Sequence, residues 1–122
     1  MATIRRLVSV LVLSATLAAQ SPITVPRPGP EHQRLGVFVG KWNTEGEAQQ
    51  SPWGPAGRMT GVDTFEWRPG EFFMMHRWEV RQGTVDIKGV DILGYDARSK
   101  VYTLQYFDNF GESGFAERRP AG

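Results

Sequence analysis

Across residues 71–81 apolar and polar side chains change places with a period of two. Phe72, Met74, His76, Trp78 and Val80 share one face, and Phe73, Met75, Arg77, Glu79 and Arg81 share the other. This is the period of an extended strand, whose successive side chains leave opposite faces of the pleat. Residues 58–67 alternate likewise, with Met59, Gly61, Asp63, Phe65 and Trp67 opposed to Arg58, Thr60, Val62, Thr64 and Glu66. Residues 37–47 read as a strand interrupted by Gly40 and Gly46, and 84–96 as a long one whose phase changes near Gly89. A glycine at such a change predicts a bulge or sharp bend. Further strands are expected over 101–109 and 111–117. Turn chemistry separates these runs: Arg68-Pro69-Gly70, Gln82-Gly83, the polar stretch 96–100 and a Pro/Gly-rich loop at 51–57. Pro30 and Glu31 open one short helix that Gly36 limits. About six short strands joined by tight turns predict an antiparallel meander, a barrel or part of one.

The N-terminus follows another pattern. Arg5 and Arg6 precede an uncharged, largely apolar run over 7–17 and then small residues. That is the layout of a secretory signal peptide, expected over 1–19 with cleavage after Ala18 or Ala19. The run is too short to span a bilayer, and no Cys follows it to carry a lipid. The expected location is therefore periplasmic or secreted, with no stable membrane anchor after cleavage. Four prolines between positions 22 and 30 mark 20–30 as a linker. The remainder divides into a single domain at 31–117 and a tail at 118–122.

Composition narrows the function classes. The 122 residues carry 14 Lys plus Arg and 13 Asp plus Glu, a net charge of +1. Loss of Arg5 and Arg6 with the leader leaves 12 basic against 13 acidic residues, a net of −1. No clustered basic face supports a grip on nucleic acid. The absence of Cys excludes disulfides, thiolate metal sites and cysteine nucleophiles.

Several stretches resemble one family: PGPEHQRL at 28–35, VGKWNTEGE at 39–47, SPWGP at 51–55, TFEWRPGEFFMMHRWE at 64–79, KGVDILGYDARSK at 88–100 and FDNFGESG at 107–114. Together they are similar to the bacterial family known as domain of unknown function 1579, a lipocalin-like β-barrel group. Gly40 and Trp42 form the G-x-W element that opens the first strand in calycins, where the tryptophan plugs the closed end. The resemblance implies a mainly β fold: an antiparallel meander forming an incomplete lipocalin-like barrel with a short N-terminal helix. It carries no established activity. Family members continue past the FDNFGESG segment with strands that close the barrel. This chain is thus expected to be a C-terminally truncated or frame-shifted member, with a non-functional fragment among the readings, or to self-associate through an open sheet edge. Resemblance to nitrobindins raises haem as a cofactor. Those proteins take their haem-ligating histidine from the missing C-terminal part, so no cofactor is expected.

His76 is the leading candidate for chemistry, a titratable ring on an otherwise apolar face. As a catalytic residue it would work with Asp63 or Tyr106, in a hydrolase- or isomerase-type reaction. As a core residue it would simply be hydrogen-bonded to a neighbouring strand. No second His or carboxylate stands at ligand spacing, and no metal is expected. Asp63, on a face with Met59, Phe65 and Trp67, needs a partner such as Arg77, His76 or Tyr106. Trp67, Met74, His76, Trp78, Tyr106, Asp108 and Asn109 are expected to line a site for a small apolar ligand, Asp108 and Asn109 at its rim or in a turn. Trp53, in the 51–57 loop, is a candidate lid, and His32 reads as a solvated residue at a helix start.

Overall fold

The computed structural model describes residues 19–52 and 54–121. The expected leader and the candidate lid Trp53 lie outside the described residues. Among the described residues no helix is long and apolar enough to cross a membrane.

Six strands form one antiparallel sheet in chain order: β1 (Gly40–Ala48), β2 (Gly57–Trp67), β3 (Met74–Gln82), β4 (Val85–Asp96), β5 (Val101–Asp108) and β6 (Ser113–Arg118). Each pairs with the next, β1 does not pair with β6, and the sheet is an unclosed meander. This is the mainly β, incomplete-barrel fold that the alternation predicts.

A short helix, α1 (Pro30–Arg34), runs directly into a 3-10 turn (Leu35–Phe38). Pro30 occupies the first turn, where its missing N–H costs nothing, and Glu31 sits beside the positive end of the helix. The turn claims Val37 and Phe38, so the first strand begins three residues later than its apolar pattern suggests. His32 corrects the expectation of a solvated residue. It is 8% exposed, accepts the Gly29 N–H at 3.1 Å, and meets Phe72 and Tyr95 edge-on with centroids 5.1 and 5.4 Å away. The Tyr102 hydroxyl donates to the Glu31 carbonyl at 3.0 Å, tying α1 to β5. Burial, reinforced by Glu31, pushes the Tyr95 hydroxyl pKa up.

The third strand also starts late. Gly70 (φ 90°) and Glu71 (φ 58°) turn the chain through the left-handed region, and the Arg68 N–H closes the loop on the Phe73 carbonyl at 2.8 Å. Phe72 therefore belongs to the turn and covers His32 instead of continuing the face of Met74, His76, Trp78 and Val80.

The bulge expected at Gly89 is absent. Pairing of β4 with β3 and β5 keeps one register on either side of that residue (Trp78↔Gly89, Gly89↔Asp108). The phase change has another cause. A Cβ on Gly89 would lie 2.2 Å from the Trp78 ring, so glycine leaves room for an indole lying across its strand.

Register defines a concave face that α1 and the 3-10 turn cross at one end. On it stand Asp63, Phe65 and Trp67 of β2, Met74, His76 and Trp78 of β3, Asp91 and Leu93 of β4, and Leu104 and Tyr106 of β5. Among the described residues, the buried apolar ones are Leu35, Met74 and Val101. The opposite face carries cross-strand ion pairs, Arg58–Glu45 at 2.8 Å and Arg77–Glu66 at 2.6 Å among them.

Candidate functional site

The strand pairing sets Phe65, His76, Asp91 and Tyr106 side by side across four strands, with Asp63 one pleat away. His76 is therefore flanked by acids on both sides. Its Nε2 lies 2.7 Å from Asp63 Oδ1, and its Nδ1 lies 2.9 Å from Asp91 Oδ2. The remaining carboxylate oxygens are also held. Thr44 Oγ1 donates to Asp63 Oδ2 at 3.2 Å, and Trp78 Nε1 donates to Asp91 Oδ1 at 2.9 Å. Phe65 stacks on the imidazole at 3.9 Å between centroids with the planes 3° apart, which fixes the ring's tilt. The three titratable side chains are 20% exposed or less.

Proton counting constrains this network. Ionised carboxylates only accept, so both ring nitrogens must donate, and the ring then carries both protons. A neutral ring satisfies one side only, and the other contact needs its proton from the carboxyl group. With both contacts made as hydrogen bonds, the cluster carries one net negative charge in either state.

The cluster opens into a hollow of about 330 Å³, lined also by Trp78, Val80, Leu104 and Tyr106. Two of its aromatic rings lie over glycines. Trp78 covers Gly89, and a Cβ on Gly114 would come 2.4 Å from Tyr106. Leu104 also borders a second, apolar groove of about 570 Å³, formed by Leu35, Phe38, Leu93, Tyr102 and Ala116 between the 3-10 turn and β4–β6. The two cavities adjoin along the concave face. Among the described residues, no three His, Cys, Asp or Glu side chains are arranged to hold a metal ion.

The sequence-derived candidates divide on this geometry. His76, Trp78 and Tyr106 converge on the hollow, and Asp63 joins them with His76 as its partner. Arg77 faces the other side of the sheet. Met74 is 0% exposed and packs in the core, out of a ligand's reach. Trp67 packs against Gly36, whose Cβ position is 3.7 Å from its ring, and so supports the 3-10 turn. Asp108 ends β5 and Asn109 begins the turn that follows it. The Asp108 carboxylate accepts the N–H groups of Phe110 and Glu112, each at 2.9 Å, and Asn109 Oδ1 accepts the Lys88 N–H at 2.8 Å. Gly40 adopts φ 134° where β1 begins. Trp42 is 49% exposed and donates its indole N–H to the Phe38 carbonyl at 2.8 Å, which ties β1 to the 3-10 turn.

Asp91, Thr44 and Gly114 escaped the sequence reading, which placed Phe65 only on the face of Asp63 and took Gly89 for a bulge or bend. The apparent phase change at Gly89 concealed the face of Asp91, and a strand-interior glycine next to an aromatic pairing partner was the available signal.

No curated protein and no solved structure gives a match to this chain. A family model described as "Protein of unknown function (DUF1579)" matches residues 27–116, which contain α1, the whole His76 cluster and the first four residues of β6. The chain belongs to that family.

Proposed function

We propose that this protein binds a small, largely apolar molecule on the concave face of a lipocalin-like, partly formed barrel, after export to the periplasm or the medium. The observation that carries the reading is the apolar groove beside the His76 hollow. Apolar walls with a few converging polar groups are the usual character of a small-molecule site. Export rests on the charged, apolar and small-residue sequence of the leader. N-terminal sequencing of the protein recovered from a periplasmic fraction tests it, and a full-length cytoplasmic product overturns it.

For binding, the neutral probe N-phenyl-1-naphthylamine is titrated against the folded protein. Saturable fluorescence enhancement is expected, weakened about tenfold or more by Leu104→Arg, which places a charge in the groove. An unsaturable response from a folded sample counts against the proposal.

The His76 cluster favours a second reading. Asp63 stands within 2.7 Å of His76, and Tyr106 borders the same hollow, an arrangement open to acid–base chemistry of the hydrolase or isomerase type. Turnover of a chromogenic ester panel that disappears in His76→Gln would support it. Equal rates in the parent and the variant would remove it.

A further inference from the structure

Among the described residues, four basic side chains of the sheet's convex face have acidic partners, and Lys41 on the same face has none. Arg58 pairs with Glu45, Arg77 with Glu66, Arg81 with Asp86 and Lys88 with Glu79, at 2.6 to 3.5 Å. Two arginines bordering the apolar groove differ. Among the described residues, the guanidinium groups of Arg34 and Arg118 make no ion pair or hydrogen bond, although both line the same cavity as Leu35, Phe38, Leu104 and Ala116.

The fold brings them to one end of that cavity. Arg118 is opposite Tyr102 in the β5–β6 register, and the Tyr102 hydroxyl holds the Glu31 carbonyl of α1 at 3.0 Å. Arg34 follows Glu31 by three residues, just under one helical turn. Glu117 also borders the cavity, but strand alternation directs its side chain to the opposite face from Arg118. At four residues along β5 from Tyr106, this basic end stands about 13 Å from the acidic cluster. The groove thus has two unpaired cations at one end, apolar walls, and a net negative group at the other.

We infer that the groove takes an amphipathic anion: a single apolar chain lying along Leu35, Leu93, Leu104 and Ala116, with its acidic head held by Arg34 and Arg118. This rests on the proposed apolar-ligand function and adds the charge of the head group. A guanidinium binds a carboxylate through two parallel hydrogen bonds, and an unpaired pair of them near an apolar wall discriminates a charged head from a neutral one. The Asp63–His76–Asp91 cluster repels a second anionic end, so a monoanion is preferred to a dianion with charges at both ends of the chain.

Calorimetric titration of the full chain with decanoate, decanol and decyltrimethylammonium, below their aggregation concentrations, tests the inference. Decanoate is expected to bind about tenfold or more tightly than the other two. Arg34→Gln and Arg118→Gln each remove most of that preference while decanol affinity stays unchanged. Arg77→Gln, on the convex face, leaves both affinities alone. Equal affinity for decanoate and decanol, insensitive to both substitutions, overturns the anion inference while leaving apolar binding in place. Absence of binding by all three probes to a folded sample overturns both.

Discussion

His76 shows how much one side chain can depend on its neighbours. Each ring nitrogen has a carboxylate within 2.9 Å, and each carboxylate has a second donor. His76→Leu removes both contacts and leaves two carboxylates facing an apolar group. A destabilisation of about 2–3 kcal/mol is expected, read from urea midpoints, because unpaired, partly buried charges are costlier to leave than lost neutral bonds. Gly89 supports the same network indirectly. In Gly89→Ala the new methyl would need the space of the Trp78 ring, 2.2 Å away, and would also lie 2.7 Å from the Phe107 carbonyl oxygen. Overpacking of this kind costs about 1–3 kcal/mol. It should also break the Trp78–Asp91 bond, visible as a shift of the indole N–H resonance, and an unmoved resonance would show that the ring does not depend on the glycine. His76 was recognisable in the sequence because a titratable ring on an apolar strand face is conspicuous. Asp91 was not, because its face could be known only once β3 and β4 were paired.

Among the elements, the loop before β2 depends on a residue that its own composition does not reveal. Gln82 ends β3 at 5% exposure and donates its amide to the carbonyls of Gln49, Gly54 and Pro55 at 2.9 to 3.2 Å. Gln82→Leu removes the amide from all three carbonyls in a partly buried setting, and of these the Gly54 carbonyl keeps the Ser51 N–H at 3.0 Å. It is expected to cost about 1–3 kcal/mol and to open residues 49–55 to limited proteolysis. An unchanged cleavage pattern would rule out this role. The β4–β5 hairpin is held by Asp96, whose carboxylate accepts from the Ser99 hydroxyl and from the Arg98 N–H, and these bonds hold its pKa below the usual carboxylate range. A depressed folded-state value stabilises the fold above the unfolded pKa, and that contribution is lost as pH falls through the folded value. Asp96→Asn should therefore be less stable than the parent at neutral pH, with the gap closing in acid. A pH-independent gap would point to some other cause. Turn residues made this hairpin readable at 96–100, whereas the late starts of β1 and β3 were hidden because Val37, Phe38 and Phe72 are apolar in turns as well as in strands.

For the molecule as a whole, the unclosed sheet matters most. Among the described residues, β1 and β6 each have one edge without a strand partner, and such an edge favours pairing with a further strand. Phe115 on β6 is 62% exposed. Pairing of two copies through β6 predicts a sedimentation coefficient that rises with concentration and becomes flat in Phe115→Pro, which withdraws an edge N–H. A concentration-independent monomer in the parent would exclude edge pairing under those conditions.

Alternation of apolar and polar residues by itself determined the strand number, their order along the chain, and which side chains could share a face. These are local consequences of a pleat with a period of two. The tertiary structure decided the rest. It chose His76 as the partner of Asp63, added Asp91 from a strand whose phase was ambiguous, packed Met74 into the core, engaged Asp108 and Asn109 with backbone N–H groups, and buried His32. Those outcomes depend on cross-strand register and on how α1 meets the sheet, which join residues far apart in sequence and leave no periodic mark in it.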